Sequence, residues 1–168
     1  VLDGHGSARL PQSLVKSQRI ADEVGAGYDP VSRGPALFMV GATPTEGVSV
    51  DRVVAGIKAE LDKVKDAGVD EAELRRVKAQ VLSAQVYQRD SLFYQGMLIG
   101  EWDSAGLDYR ARDARLDKIR QVTARQVRDV ARRYLTDDRL TLAQLDPLPI
   151  EPGKEFAKPV FGGAGRVH

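Results

Sequence analysis

Two helix-start signatures, at Ser49 and Asp70, constrain this chain more than any other feature. Ser and Asp before a helix accept a hydrogen bond from a backbone N–H that the first turn leaves without a partner. Ser49 follows Val48 and precedes Val53 at the fourth helical position. Asp70 follows Val69, with Glu73 at the third position and Leu74 at the fourth. The second set is a complete capping box with a hydrophobic staple. After Ser49, Val50, Val53, Val54, Ile57, Leu61 and Val64 recur at three- and four-residue spacing, so one face is apolar. Lys58, Glu60, Asp62, Lys63, Lys65 and Asp66 fall elsewhere, and Gly68 is a C-terminal stop. The spacing predicts one helix from about Val50 to Ala67. A second begins after Asp70, with Leu74, Val77, Val81 and Ala84 inward and the pattern able to continue past Tyr87.

Such a helix pair must bury its apolar face against another layer. Upstream, Val24, Ala26 and Tyr28 alternate with small or polar residues, which predicts a strand within Ile20 to Val31. Pro30 to Pro35 supplies turn residues, and Ala36-Leu37-Phe38-Met39-Val40 reads as a strand covered on both faces. The two are expected to form an antiparallel hairpin, broken at Pro44. Before it, Gly4-His5-Gly6 is a turn, and Ser7 is the expected cap of a short helix from Ala8 to Ser17 with Leu10, Leu14 and Val15 inward. Pro11 is tolerated in its first turn. Val1 and Leu2 read as the last turn of a helix that begins upstream, so the chain is expected to be a piece of a longer protein.

Downstream, Leu92 to Trp102 is rich in apolar groups, including Phe93, Tyr94, Met97, Leu98 and Ile99. It is expected to continue or kink from the second helix and to be core or inter-domain contact, with Gly96 and Gly100 allowing close approach. A shorter helix is expected over Asp108 to Lys118. Another follows Thr123, with Gln126 completing a capping box, Val122 and Val127 as the staple, and Val127, Val130, Ala131, Tyr134 and Leu135 inward. Arg139 to Leu145 is expected to be a third strand, and Leu148 to His168 an extended or disordered Pro/Gly-rich tail. The fold class is therefore α+β, an antiparallel sheet packed on one face by helices, with a domain over 1–147 and a tail over 148–168.

The charges balance to a formal +1, which gives no argument for nucleic acid or an anionic membrane as partner. No apolar run reaches the roughly 18 residues of a membrane span. Without cysteine, thiolate metal sites, disulfides and a cysteine nucleophile are excluded. The two histidines are His5, between glycines, and His168, in the tail. A catalytic zinc usually needs three convergent protein ligands, which His5 with Asp3 and Glu23 does not supply. No serine elbow accompanies either histidine, so a Ser-His-Asp arrangement is not supported. Gly4-x-Gly6 and Gly25-x-Gly27 fall short of a dinucleotide loop. The carboxylate pairs Asp22–Glu23 and Glu71–Glu73 are not read as catalytic, the latter because acids favour a helix first turn. Arg110, Arg112, Arg115, Lys118, Arg120 and Arg125 are interleaved with Asp108, Asp113 and Asp117, as on a solvated helix face. Phe93, Tyr94 and Trp102 are core or contact residues rather than a ligand box. The residues themselves thus give no catalytic, substrate-binding or metal site.

Several phrases in order resemble the zinc metallopeptidase family of insulinase, pitrilysin and mitochondrial processing peptidase. They are Gly4-x-Gly6-Ser7-Ala8-Arg9-Leu10, Leu14-Val15, Tyr28, Gly34-x-x-Leu37-Phe38, Val69-Asp70-Glu71-Ala72-Glu73-Leu74 with Lys78, Val122-Thr123-Ala124-Arg125-Gln126-Val127, Ala131-x-x-Tyr134-Leu135 and Leu145-Asp146-Pro147. The resemblance implies the C-terminal, non-catalytic half-domain of such an enzyme, without its first strand and most of its first helix. It implies a zinc-bearing N-terminal half with the motif His-x-x-Glu-His, absent from this sequence, as the partner that encloses a peptide substrate in a chamber. It also implies a second peptidase-like subunit. The fragment alone would be inactive and hold no cofactor. The family's substrate-orienting Arg and Tyr correspond to Val15 and Asp22 here, so no substrate-binding residue is carried over. That departure fits the zinc-bearing member of a two-chain assembly. The alternative is an inactive homologue that serves as an assembly or binding subunit. The family and the Ala/Arg/Val-rich composition point to a bacterial periplasm or envelope.

Overall fold

The computed structural model describes residues 1–87 and 91–147. The expected tail and residues 88–90 lie outside them. A short helix of π character, Pro11–Ser17, leads into strand β1 (Ala21–Tyr28), which pairs antiparallel with β2 (Phe38–Pro44). Five α-helices follow: α1 (Val50–Asp66), α2 (Glu71–Tyr87), α3 (Leu92–Ser104), α4 (Ala111–Gln121) and α5 (Ala124–Tyr134). The α+β class holds, with a two-stranded sheet among the described residues.

The caps explain where the helices begin. The Ser49 hydroxyl accepts the Arg52 N–H, and Thr123 and Gln126 close a reciprocal capping box. Ser91 caps α3 by accepting the Tyr94 N–H at 3.2 Å, so Leu92 to Trp102 forms its own helix rather than prolonging α2. The fourth helix starts at Ala111 instead of Asp108. Asp108 Oδ1 accepts the Arg110 N–H in a side-chain turn, which delays the first helical residue. Gly68, at φ +76, ends α1 in the left-handed region that a Cβ disfavours. Gly68→Ala should therefore cost roughly 1–2 kcal/mol, read by urea denaturation. A loss under about 0.5 kcal/mol would show that the turn relaxes freely.

The main core lies between the π-type helix, the hairpin and α1. Leu10, Leu14, Ile20, Ala21, Val24 and Val53 form it, and Ala26, Val40 and Ile57 pack around it. A β-bulge between Ala21 and Glu23 changes the alternation, so Ala21 and Val24, three apart, both point inward. The Val1 and Leu2 carbonyls accept the Arg9 and Leu10 N–H groups, which ties the start of the chain to the following helix. One reading of the N-terminal region needs correction. Ser7 is not the side-chain cap; its own N–H donates to His5 Nδ1 at 3.1 Å.

Three further expectations fail, and one cause joins them. Leu37 and Met39 are 78% and 67% exposed, so this strand is not covered on both faces. The segment Arg139 to Leu145 forms no third strand: Asp137–Arg139 is a single 3-10 turn and 140–147 lacks regular structure. On α3, expected to be core or inter-domain contact, Trp102 is buried while Leu92 and Phe93 are more than four-fifths exposed, as the second of those alternatives allows. Val130 and Tyr134, expected inward on α5, are also more than half exposed, because only Ala131 is buried along that helix. The period of a hydrophobic pattern shows which side seeks cover. It does not show that the cover lies within the same residues.

Candidate functional site

The hairpin has two unlike faces. Val24, Ala26 and Val40 turn to the core. Register places Glu23 opposite Thr43, Gly25 opposite Gly41 and Gly27 opposite Met39 on the other side. A Cβ added at Gly27 or Gly41 would meet nothing within 4 Å, and one at Gly25 would meet only Asp3 Oδ2 at 3.5 Å. The middle of this face, at Gly25, Gly27 and Gly41, is thus bare backbone, bordered by the side chains of Glu23, Thr43 and Met39.

Asp3 fixes one margin of the strip. Its carboxylate accepts the Ala26 N–H at 3.0 Å, which ties the N-terminal turn to β1. Asp3 is therefore committed to the strand and is not a partner of His5. Asp22, at the bulge, accepts the Thr45 hydroxyl at 2.8 Å across the hairpin end. Val15 packs half-buried against the core cluster. Neither residue offers a cation or a phenol to a substrate.

A second cluster lies where the N-terminal segment meets α1 and α2. Arg9 makes a forked contact to Glu73, Nε to Oε1 at 3.0 Å and Nη2 to Oε2 at 2.7 Å, and Nη2 also reaches the Gly68 carbonyl at 3.1 Å. The Glu73 hydrogen bond holds the Arg9 guanidinium even more firmly protonated than usual. Asp70 does cap α2, accepting the Glu73 N–H at 2.7 Å, and this bond depresses its carboxyl below the ordinary range. The capping box is only half made, since the Glu73 side chain is drawn to Arg9. Glu60, expected on a polar face of α1, is buried with Lys63 Nζ 2.6 Å away. Arg128 lies over the Gly68 Cα, 3.6 Å from where a Cβ would sit. This cluster is structural. Arg9 pairs with Glu73 and Lys63 with Glu60, while the Arg128 Nε is buried with no hydrogen-bond partner among the described residues.

The remaining candidates are placed as follows. Glu23 and Glu71 are solvent-exposed. Arg110, Arg120 and Arg125 pair with Asp108, Asp117 and Asp129, as on a solvated face. Arg115 lies over the Trp102 ring, 5.8 Å from its centroid. His168 and the side chains of Arg112 and Asp113 fall outside the description. Among the described residues, no group of three or more His, Cys, Asp or Glu is placed to hold a metal ion. A zinc site does not fit here: the one described imidazole has Nδ1 engaged by a backbone N–H, and the neighbouring acid is bonded elsewhere. Among the described residues no helix is long and apolar enough to cross a membrane.

Residues 1–81 match the family model described as the peptidase M16 inactive domain. Solved structures with the same fold include a candidate zinc protease from Bordetella pertussis Tohama I, with TM-score 0.75 and 24% identity over 88% of this chain and 79% of that one. The inactive peptidase domain of a candidate zinc protease from Bordetella parapertussis gives TM-score 0.74 and 24% identity over 84% of this chain and 76% of that one. A protease from Helicobacter pylori gives TM-score 0.75 and 18% identity over 80% of this chain, which spans only 32% of that protein. At these identities the likeness is one of fold. The curated proteins contain no match.

Proposed function

We propose, from the match of residues 1–81 to the peptidase M16 inactive-domain model, that the chain is the non-catalytic C-terminal half-domain of a zinc-dependent endopeptidase. In this reading it closes a peptide chamber against a catalytic half that carries the zinc and the general base. The observation that carries the reading is the division of the hairpin into a packed face and a bare one. A wall needs a rigid back and an inner side that a chain can approach, and Gly25, Gly27 and Gly41 leave a patch of bare backbone there, bordered by Glu23, Met39 and Thr43. The uncharged run from Leu92 to Gly100, largely exposed on α3, supports an apolar contact with a body outside this chain. A second peptidase-like subunit and a bacterial envelope location belong to the same proposal.

The test compares this chain with its parent polypeptide. The chain alone should bind no stoichiometric zinc and cleave no unstructured peptide, with or without chelator. The parent should bind zinc, lose activity to chelator, and cleave unstructured peptides but not folded proteins. Chelator-sensitive hydrolysis by the chain alone would sink the proposal. A zinc-free parent that copurifies with a zinc-bearing chain would instead favour an assembly subunit.

A further inference from the structure

The end of α4 and the first half of α5 form a groove. Val122, Val127 and Val130 line it together with Lys118, Gln121 and Gln126, and most of its lining is apolar. Its volume is about 630 Å³, within the roughly 300–1,000 Å³ that binding clefts span. Val122 and Val127 are partly buried, and Val130 is 56% exposed. The charge beside it is one-sided. Arg120 and Arg125 pair with Asp117 and Asp129, whereas Lys118 has no carboxylate partner among the described residues. The groove therefore suits an apolar group that carries a carboxylate next to it.

The chain itself supplies such a group. Twenty-one residues follow Pro147, and they hold Phe156 and Phe161, two of the chain's four phenylalanines. A solvated tail is poor in aromatic groups, because nothing there repays the water they disturb. Glu155 precedes Phe156, and Val160 precedes Phe161, so one short stretch joins a carboxylate to three large apolar groups. Pro159 between them limits the backbone freedom that docking must remove. The exposed side of α3 is a poorer seat, since a single helix is convex and touches a ring on one side only. A groove between two helices touches it on both.

Reach allows the return. Asp137 is held to α1 by Lys58 at 2.7 Å. The nineteen residues from there to Phe156 can extend roughly 60 Å. The 11 residues of α5 measure only about 16 Å.

We propose that Glu155–Phe161 folds back into the α4–α5 groove of its own chain, with its apolar side chains against Val122, Val127 and Val130 and the Glu155 carboxylate beside Lys118. The docked segment then ties α4 to α5. The half-domain reading is not needed for it.

The chain has no cysteine, so disulfide trapping in the full chain is a direct test. Gln121→Cys in the groove and Ala157→Cys beside Phe156 should join under mild oxidation, with a yield independent of protein concentration. Met39→Cys on the hairpin, paired with the same Ala157→Cys, is the control and should trap far less. Val130→Asp puts a charge in the groove at an exposed position and should cut the Gln121–Ala157 yield roughly tenfold. Lys118→Glu should cut it about two- to fivefold, and adding Glu155→Lys should restore it. Circular dichroism checks that each variant keeps its helices, and the charge exchange remains decisive if Val130→Asp does not. A yield no higher than the Met39 control overturns the proposal, as does a yield that the Lys118 and Glu155 substitutions leave unmoved. Disulfides between chains that rise with concentration also overturn it, and assign the groove to a second copy. No zinc and no parent polypeptide enter the test, so its outcome is separate from that of the functional reading.

Discussion

Leu14→Ala is expected to remove about 3 kcal/mol of stability, lowering the midpoint of thermal unfolding by about 6–12 °C. Leu14 has no exposed surface and touches the core from the end of the chain's most unusual helix. Two features raise the cost. The Gln18 N–H bonds five residues back to the Ser13 carbonyl, so the wide turn around Leu14 is fixed by its own backbone and collapses poorly into a void. Beneath it lies Gly56 of α1, where a Cβ would be 3.6 Å from Leu14 Cγ and 2.9 Å from Ile20 Cδ1. Nothing on that side can lean in to fill the space. Leu14→Met, which keeps the volume, should cost less than about 1.5 kcal/mol. Gly56→Ala alone crowds Ile20, but added to Leu14→Ala it occupies part of the cavity, so the double variant should lose less than the sum of the two. A Leu14→Ala loss under about 1 kcal/mol would mean that the hairpin and α1 repack, and that the core is not the rigid backing proposed for the wall.

The sequence is informative about this fold wherever the deciding interaction is local. Ser49, Asp70 and Thr123 announce helix starts because cap and N–H lie within three residues. The alternation of Val24 and Ala26 gives β1 because it depends only on the period of the chain. Legibility ends where a residue's partner is remote. Glu73 has the spacing of a capping box, yet it answers Arg9, sixty-four residues away, since a guanidinium fork outcompetes a single backbone N–H. Glu60 reads as a surface residue and is buried, because the cover comes from the fold rather than from its own helix. The bare face of the hairpin was legible only as glycines at alternate positions. That Gly41 sits directly across from Gly25 depends on a register that the bulge at Asp22 sets.

Exposed apolar groups carry a related lesson. Leu37, Met39, Phe93, Leu140 and Leu142 have the hydrophobicity of buried residues, and all are exposed. Each apolar pattern is a request for burial that this chain leaves unanswered. The requests occur on β2, on α3 and at 140–145, and they surround a core that is otherwise well packed. A self-sufficient domain would bury at least one such surface against another. A half-domain would leave them for the rest of its protein, which is the reading proposed above.

Arg9→Ala is the second large effect, at about 2–3 kcal/mol, because it leaves the Glu73 carboxylate unpaired where its side chain is only 13% exposed. An ordinary surface ion pair would cost less than about 1 kcal/mol. This one differs in geometry. Both guanidinium edges of Arg9 are used, two bonds going to Glu73 and a third to the Gly68 carbonyl at the end of α1. Arg9 thus joins the N-terminal turn to the junction between the two long helices. Arg9→Lys keeps the charge and loses the fork, so it should recover less than half of the loss. Replacing both partners, as Arg9→Met with Glu73→Leu, removes the unpaired charge and should cost less than Arg9→Ala alone. Urea unfolding of the unmodified chain, Arg9→Met, Glu73→Leu and the double variant closes a double-mutant cycle, with an expected coupling above about 1 kcal/mol. Additive losses would show that Arg9 and Glu73 act separately. In that case the helix junction is held by Gly68 and its neighbours, and the clamp contributes nothing beyond its apolar contacts.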